Sequence, residues 1–192
     1  MSFQQKVRKH NAGFTLTELM IIVLILGILT ITAVPIFNRF MKKSRTGEAP
    51  VNISSIIRGA IIWYQESHTD SLGNPIKRHF PNTLSPFGVQ NSELVRAPSN
   101  APCSDGRSQY TRDSRPWTQQ PWKSLRFGLD KSHYFQYVYD VNNNDPFGPV
   151  LTVSARADLD CDAQFSTFKN TIRFTAAGEP ETSGLIAIDP LE

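Results

Sequence analysis

Two places in the chain hold residues whose types and spacing suit chemistry. The first is "NAGFTLTELMIIVLILGILTITAVPIF", Asn11 to Phe37. Two small residues, Ala12 and Gly13, precede an apolar run, and one carboxylate, Glu18, sits near its start. A cut after Gly13 creates a free amine on Phe14, a short helical distance from Glu18. An ammonium and a carboxylate in apolar surroundings favour pairing, because either charge left alone there is costly. Glu18 is therefore expected to pair with the Phe14 amine of a neighbouring copy, which favours assembly and fixes the stagger between helices. The plainer reading puts Glu18 at headgroup depth, where an acid costs less than the roughly 2.5–3.5 kcal/mol of a helix centre.

The second place is "ADLDCDAQFSTF", with Asp158, Asp160 and Asp162 at alternate positions. Such a turn can aim several oxygens at a hard cation, and calcium is the candidate. A calcium loop of the EF-hand type needs Gly at its sixth position and Glu at its twelfth. Here those positions hold Ala163 and Lys169, so the EF-hand is excluded. The alternative is a solvated acidic turn anchored through Cys161. The two cysteines, Cys103 and Cys161, belong to no CxxC pair. In an exported domain they are expected to form one disulfide, stabilising by about 4 kcal/mol on the chain-entropy model; two free buried thiols are the other reading. No catalytic residues are expected. His68, His79 and His133 lack metal-ligand spacing, and the chain has neither GxSxG nor a glycine-rich phosphate loop. His133, beside a run of aromatics, is expected to pack.

The elements that carry these residues follow from charge and periodicity. From Leu19 to Asn38 there are 20 residues without a charge. As a helix they cover roughly 30 Å, the hydrocarbon thickness of a bilayer. A secretory signal has a shorter apolar core, of about 7–15 residues, with its cleavage site after it. Lys6, Arg8 and Lys9 form a basic flank with no acid among the first 13 residues; beyond it, 17 basic residues face 17 acidic ones. The net charge of +3 thus reports a cytoplasmic flank rather than a nucleic-acid surface. Pro35 removes the hydrogen bond to the carbonyl of Ile31, and Gly27 weakens the helix by roughly 1 kcal/mol relative to Ala. The stretch between them is expected to be the weakest part of the span.

"GFTLTELMIIVLILGILTITAVP" resembles the class III leader junction and N-terminal helix of type IV pilins and type II secretion pseudopilins, over about 40 residues. Gly13 precedes the cut, Phe14 follows it, and Glu18 is the fifth residue after it; Gly27 and Pro35 match the family's helix glycine and proline. Thr17 departs from an apolar position. The resemblance implies cleavage and N-methylation at Phe14 by a prepilin peptidase, and a role for Glu18 in aligning an incoming subunit. It implies a segment at Gly27–Pro35 that straightens or melts as helices pack. Some pilin-like proteins resemble the acidic run with a fuller "DLDGDG…STF", and some pseudopilins hold calcium in this region. In this chain Cys161 replaces the first of those glycines.

The expected organisation is a leader over 1–13, a transmembrane and polymerisation helix over 14–37, its amphipathic half over 38–67, and a pilin-like head over 68–192. Ile53, Ile56, Ile57, Ala60, Ile61 and Tyr64 share one helical face, with a break expected near 47–50 at Gly47 and Pro50. Residues 68–124, rich in proline and polar residues, read as loops with a short helix, and Trp117 and Trp122 are expected to plug the core. "HYFQYVYDV", "PVLTVSARA", "NTIRFTA" and "GLIAI" read as three to four antiparallel strands over about 125–189. The fold class is α+β: a long N-terminal helix packed on a small antiparallel sheet. The expected function is a structural subunit of a type IV pilus, with the irregular middle favouring a minor subunit over a major one. The alternatives are a type II secretion pseudopilin and a signal-anchored binding protein. The expected partners are other pilin subunits, the prepilin peptidase, an inner-membrane assembly platform and the membrane, with no nucleic acid. The expected location is the bacterial inner membrane with a periplasmic head, then the filament.

Overall fold

A computed structural model describes residues 13–85, 88–175 and 177–191. The leader expected over 1–13 lies, apart from Gly13, outside the described residues. The chain divides into two compact units, 1–40 and 41–192.

In the first unit the described chain enters helix α1 (Leu16–Thr46), and every described residue as far as Phe40 is exposed. The helix runs unbroken through Pro35. Thr30 and Thr32 return their hydroxyls to the carbonyls of Leu26 and Leu29, at 2.8 and 3.0 Å. Two polar side chains are thereby satisfied inside the helix, which suits an apolar solvent.

In the second unit, α1 ends at Thr46 and α2 (Glu48–Gln65) begins after Gly47. Pro50 explains the break. In a straight helix its ring would crowd the carbonyl of Thr46 and remove a hydrogen bond. Restarting at Glu48 puts Pro50 in a first turn, whose N–H groups have no helical partner in any case. One face of α2 buries Ala49, Ile53, Ile56, Ile57 and Ala60 against the sheet.

Among the described residues the sheet has six antiparallel strands: β1 (Ser92–Ala97), β2 (Gln136–Asn142), β3 (Val150–Ala157), β4 (Ser166–Phe174), β5 (Pro180–Thr182) and β6 (Ile186–Ile188). They run in the order β1-β2-β3-β4, and β5 and β6 share the outer edge of β4. Alternation sets the core. Phe135, Tyr137, Tyr139 and Val141 are fully buried, as are Leu151, Val153, Ala155 and Ala157. Register then fits large to small: Ala155 lies between Tyr137 and Phe168. Each large apolar side chain so buried contributes about 1.5–3 kcal/mol.

The span read as loops contains β1 and a 3₁₀ turn at Arg115–Thr118. Trp117 and Trp122 are core residues, packed edge-on to each other and around Phe127.

Candidate assembly site

The start of α1 is built by its first four residues. Thr15 stands before the helix, and its hydroxyl accepts from the Glu18 amide at 3.2 Å. Glu18 reaches back: its Oε2 accepts from the Thr15 amide at 2.8 Å and from the Thr15 hydroxyl at 2.7 Å. This reciprocal pair is a capping box, which satisfies two amides that a helix start otherwise leaves open. The spacing Thr-x-x-Glu is the signal that gives it away in the sequence, and the reading based on charge passed over it. Both bonds that the Glu18 carboxylate accepts use Oε2. Oε1 has no partner among the described residues, so the carboxylate can hold its own helix and still accept from outside. Phe14 is 77% exposed and adjoins Thr15, which leaves it reachable by another chain.

Gly27 and Pro35 lie on the same helix. A Cβ placed on Gly27 would meet nothing within 4 Å, so packing inside the chain does not require a glycine there.

In the second unit, the three aspartates come together as the spacing suggested, with carboxylate oxygens within 4.8 Å of one another. Their bonds describe a turn more than a cation cage. Asp158 is buried, and its two oxygens accept from the amides of Asp162 and Ala163 at 3.2 and 3.0 Å. Asp162 accepts from the Gln164 amide at 2.8 Å. Asp160 lies 2.7 Å from the ammonium of Lys42 on α1. Arg45, one turn on, donates to the Leu159 carbonyl at 3.2 Å and covers the Tyr134 ring. Calcium takes six to eight oxygens, whereas these carboxylates already face three backbone amides and an ammonium. The donor set therefore does not fit calcium well.

Cys103 and Cys161 form a disulfide, with Cα atoms 5.5 Å apart. Cys161 and Ala163 have φ of +63° and +71°, the left-handed region that favours glycine. These are the two positions where the similar acidic runs carry glycine. The turn keeps that conformation without it, held by the disulfide and by the Asp158 carboxylate.

His68 and His79 come together, with ring centroids 5.9 Å apart, and His133 packs among other rings. His133 is buried against Tyr110 and Trp117, with Nδ1 on the Lys131 carbonyl; burial lowers its pKa. His79 is buried beside Trp63 and His68, again with a lowered pKa, chiefly through burial.

The prokaryotic N-terminal methylation motif matches residues 8–34. The type IV major pilin protein PilA of Myxococcus xanthus is 41% identical over 57 residues, which is 30% of this chain and 26% of that protein. The chain thus aligns with about a quarter of the length of this curated relative. No solved structure matches. The chain carries a prokaryotic N-terminal methylation motif around Gly13–Phe14, followed by an apolar helix and an α+β head, and over part of its length it is similar to a type IV pilin.

Proposed function

We propose that this chain is a structural subunit of a type IV pilus. It waits in the inner membrane with its head in the periplasm, loses residues 1–13 to a prepilin peptidase, is methylated on Phe14, and joins the filament through α1 on an assembly platform. One observation carries the reading: a helix whose described apolar residues from Phe14 to Phe40 are all exposed begins with a carboxylate that keeps one oxygen open. Such a surface suits lipid first and other helices afterwards, and the open oxygen suits the Phe14 amine of the next subunit. The weakness between Gly27 and Pro35 lets the helix adjust as it leaves lipid. The chain acts by polymerising rather than by catalysis.

Two observations divide the finer reading. The long irregular segment of the head supports a minor subunit, present in few copies. The Myxococcus relative, a major pilin, supports one present in many.

The test separates the cap from the charge. Glu18→Gln keeps a residue able to close the capping box, whereas Glu18→Ala removes both cap and charge. Sheared filaments and membranes are compared by immunoblot. Both variants are expected in membranes, and both are expected at a tenth or less of the wild-type level in filaments. Wild-type assembly of Glu18→Gln would show that the charge has no part in joining subunits.

A further inference from the structure

The head carries a groove of about 630 Å³ between α2 and the turn at 120–126. Its floor is apolar, from Ile62, Trp63 and Leu125, and its rim holds three cations, Arg58, Lys123 and Arg126, against one anion, Glu66. The turn is well held. Trp122 and Leu125 are buried, and Ser124 donates to the Gln120 side chain at 3.1 Å. Gly59 lets the turn come close, since a Cβ there would lie 2.2 Å from the Leu125 carbonyl oxygen. Arg126 reaches Glu66 only at 4.0 Å, and Arg58 and Lys123 have no carboxylate partner among the described residues.

A second surface of the same head has the opposite chemistry. After Arg173 the sequence has no Lys or Arg, while Glu179, Glu181, Asp189 and Glu192 fall in its last 19 residues. The structure places Glu179, Glu181 and Asp189 beside the short edge strands β5 and β6, without a cation partner among the described residues. Leu185, Ile186 and Ile188 are 45%, 43% and 44% exposed on that edge. The edge thus offers aliphatic side chains for apolar contact beside carboxylates for ionic contact. None of these residues lines the groove of its own chain.

We infer that the groove receives the acidic β5–β6 edge of a second copy of this chain, Lys123 and Arg58 meeting Glu179, Glu181 or Asp189 while Ile186 and Ile188 cover Ile62 and Trp63. The contact is heterologous, so each copy keeps a free groove and a free edge, and a head-to-tail series can grow. Complementary potentials set the register, and the attraction weakens with salt. The inference rests on the filament reading in its many-copy form.

Zero-length carbodiimide coupling tests it on the full chain in detergent, with unlabelled and ¹⁵N-labelled copies mixed. The expected product is a mixed-isotope peptide pair joining Lys123 to Glu179, Glu181 or Asp189. Arg58→Glu is expected to lower its yield at least fivefold and Arg58→Lys to keep it within twofold. Lys123 coupled only to other carboxylates, or a yield indifferent to Arg58→Glu, would overturn the docking. Sheared filaments report the underlying reading separately. Wild-type protein that couples in detergent yet never enters filaments sinks the filament role, and protein that enters filaments without this coupling sinks the groove.

Discussion

Glu18 caps its own helix, and on the proposed reading the same side chain serves assembly. Its backward reach to Thr15 closes the first turn of α1 and occupies only one oxygen. On the proposed reading, the acid in an apolar run is there for the Phe14 amine of another chain. Thr15→Ala removes the cap and leaves the carboxylate. It is expected to assemble at reduced yield, well above Glu18→Ala, in the same shearing assay; equal loss in both would make Glu18 a cap and nothing more. The buried histidines make a second prediction at this scale. Burial holds His79 and His133 below the usual 6.5 in the folded head, so the unfolded chain takes up their protons first. Stability is then full above about pH 6.5 and falls as pH drops below it. Denaturant midpoints read by near-ultraviolet circular dichroism are expected to be lower at pH 5 than at pH 7.5. Equal midpoints would mean that neither histidine is held neutral by the fold. Asp70 and Asp113, kept low by hydrogen bonds from Asn74 and Arg115, titrate further down and do not enter this window.

Among the elements, periodicity decided what could be read in advance. β3 alternates strictly and the aromatics of β2 recur at every second position, so Tyr137, Tyr139, Leu151 and Val153 announced their face, whereas the burial of Gln136 and Val138 on β2 did not follow from alternation. The edge strand β1 has Glu93 and Arg96 among its six residues and a mostly exposed pattern, and its pairing with β2 supplies what its sequence lacks. The break at Gly47 was legible because Pro50 forbids a straight helix there. The capping box was legible too, yet the charge of Glu18 drew attention from its spacing to Thr15. The role of Lys42 on Asp160 was beyond sequence: 118 positions separate them, and only the fold brings α1 to the acidic turn. From that geometry, millimolar calcium is expected to leave the thermal midpoint of the oxidised protein unchanged; a rise with calcium that vanishes in Asp158→Asn would restore the cation site. Gly59→Ala is the steric test of the close approach between α2 and the 120–126 turn. Its methyl meets backbone rather than a yielding side chain, and the expected loss is about 1–3 kcal/mol in denaturant unfolding. Wild-type stability in that variant would contradict the packing described.

At the scale of the molecule, the two units divide the labour. The head has its own core of buried aromatics and aliphatics, closed by one disulfide, whereas residues 13–40 bury nothing in a single chain. On the proposed reading, lipid and then neighbouring helices cover the apolar surface that residues 13–40 leave exposed. The central claim is that this chain is cut between Gly13 and Phe14 and then polymerises. Quantitative mass spectrometry of sheared surface filaments, set beside cell membranes, tests it most directly. The account predicts a peptide beginning at methylated Phe14 in the filament fraction, and its ratio to the most abundant pilin tells a major subunit from a minor one. Protein still carrying Met1–Gly13 in every fraction, with none in the filaments, would contradict the account.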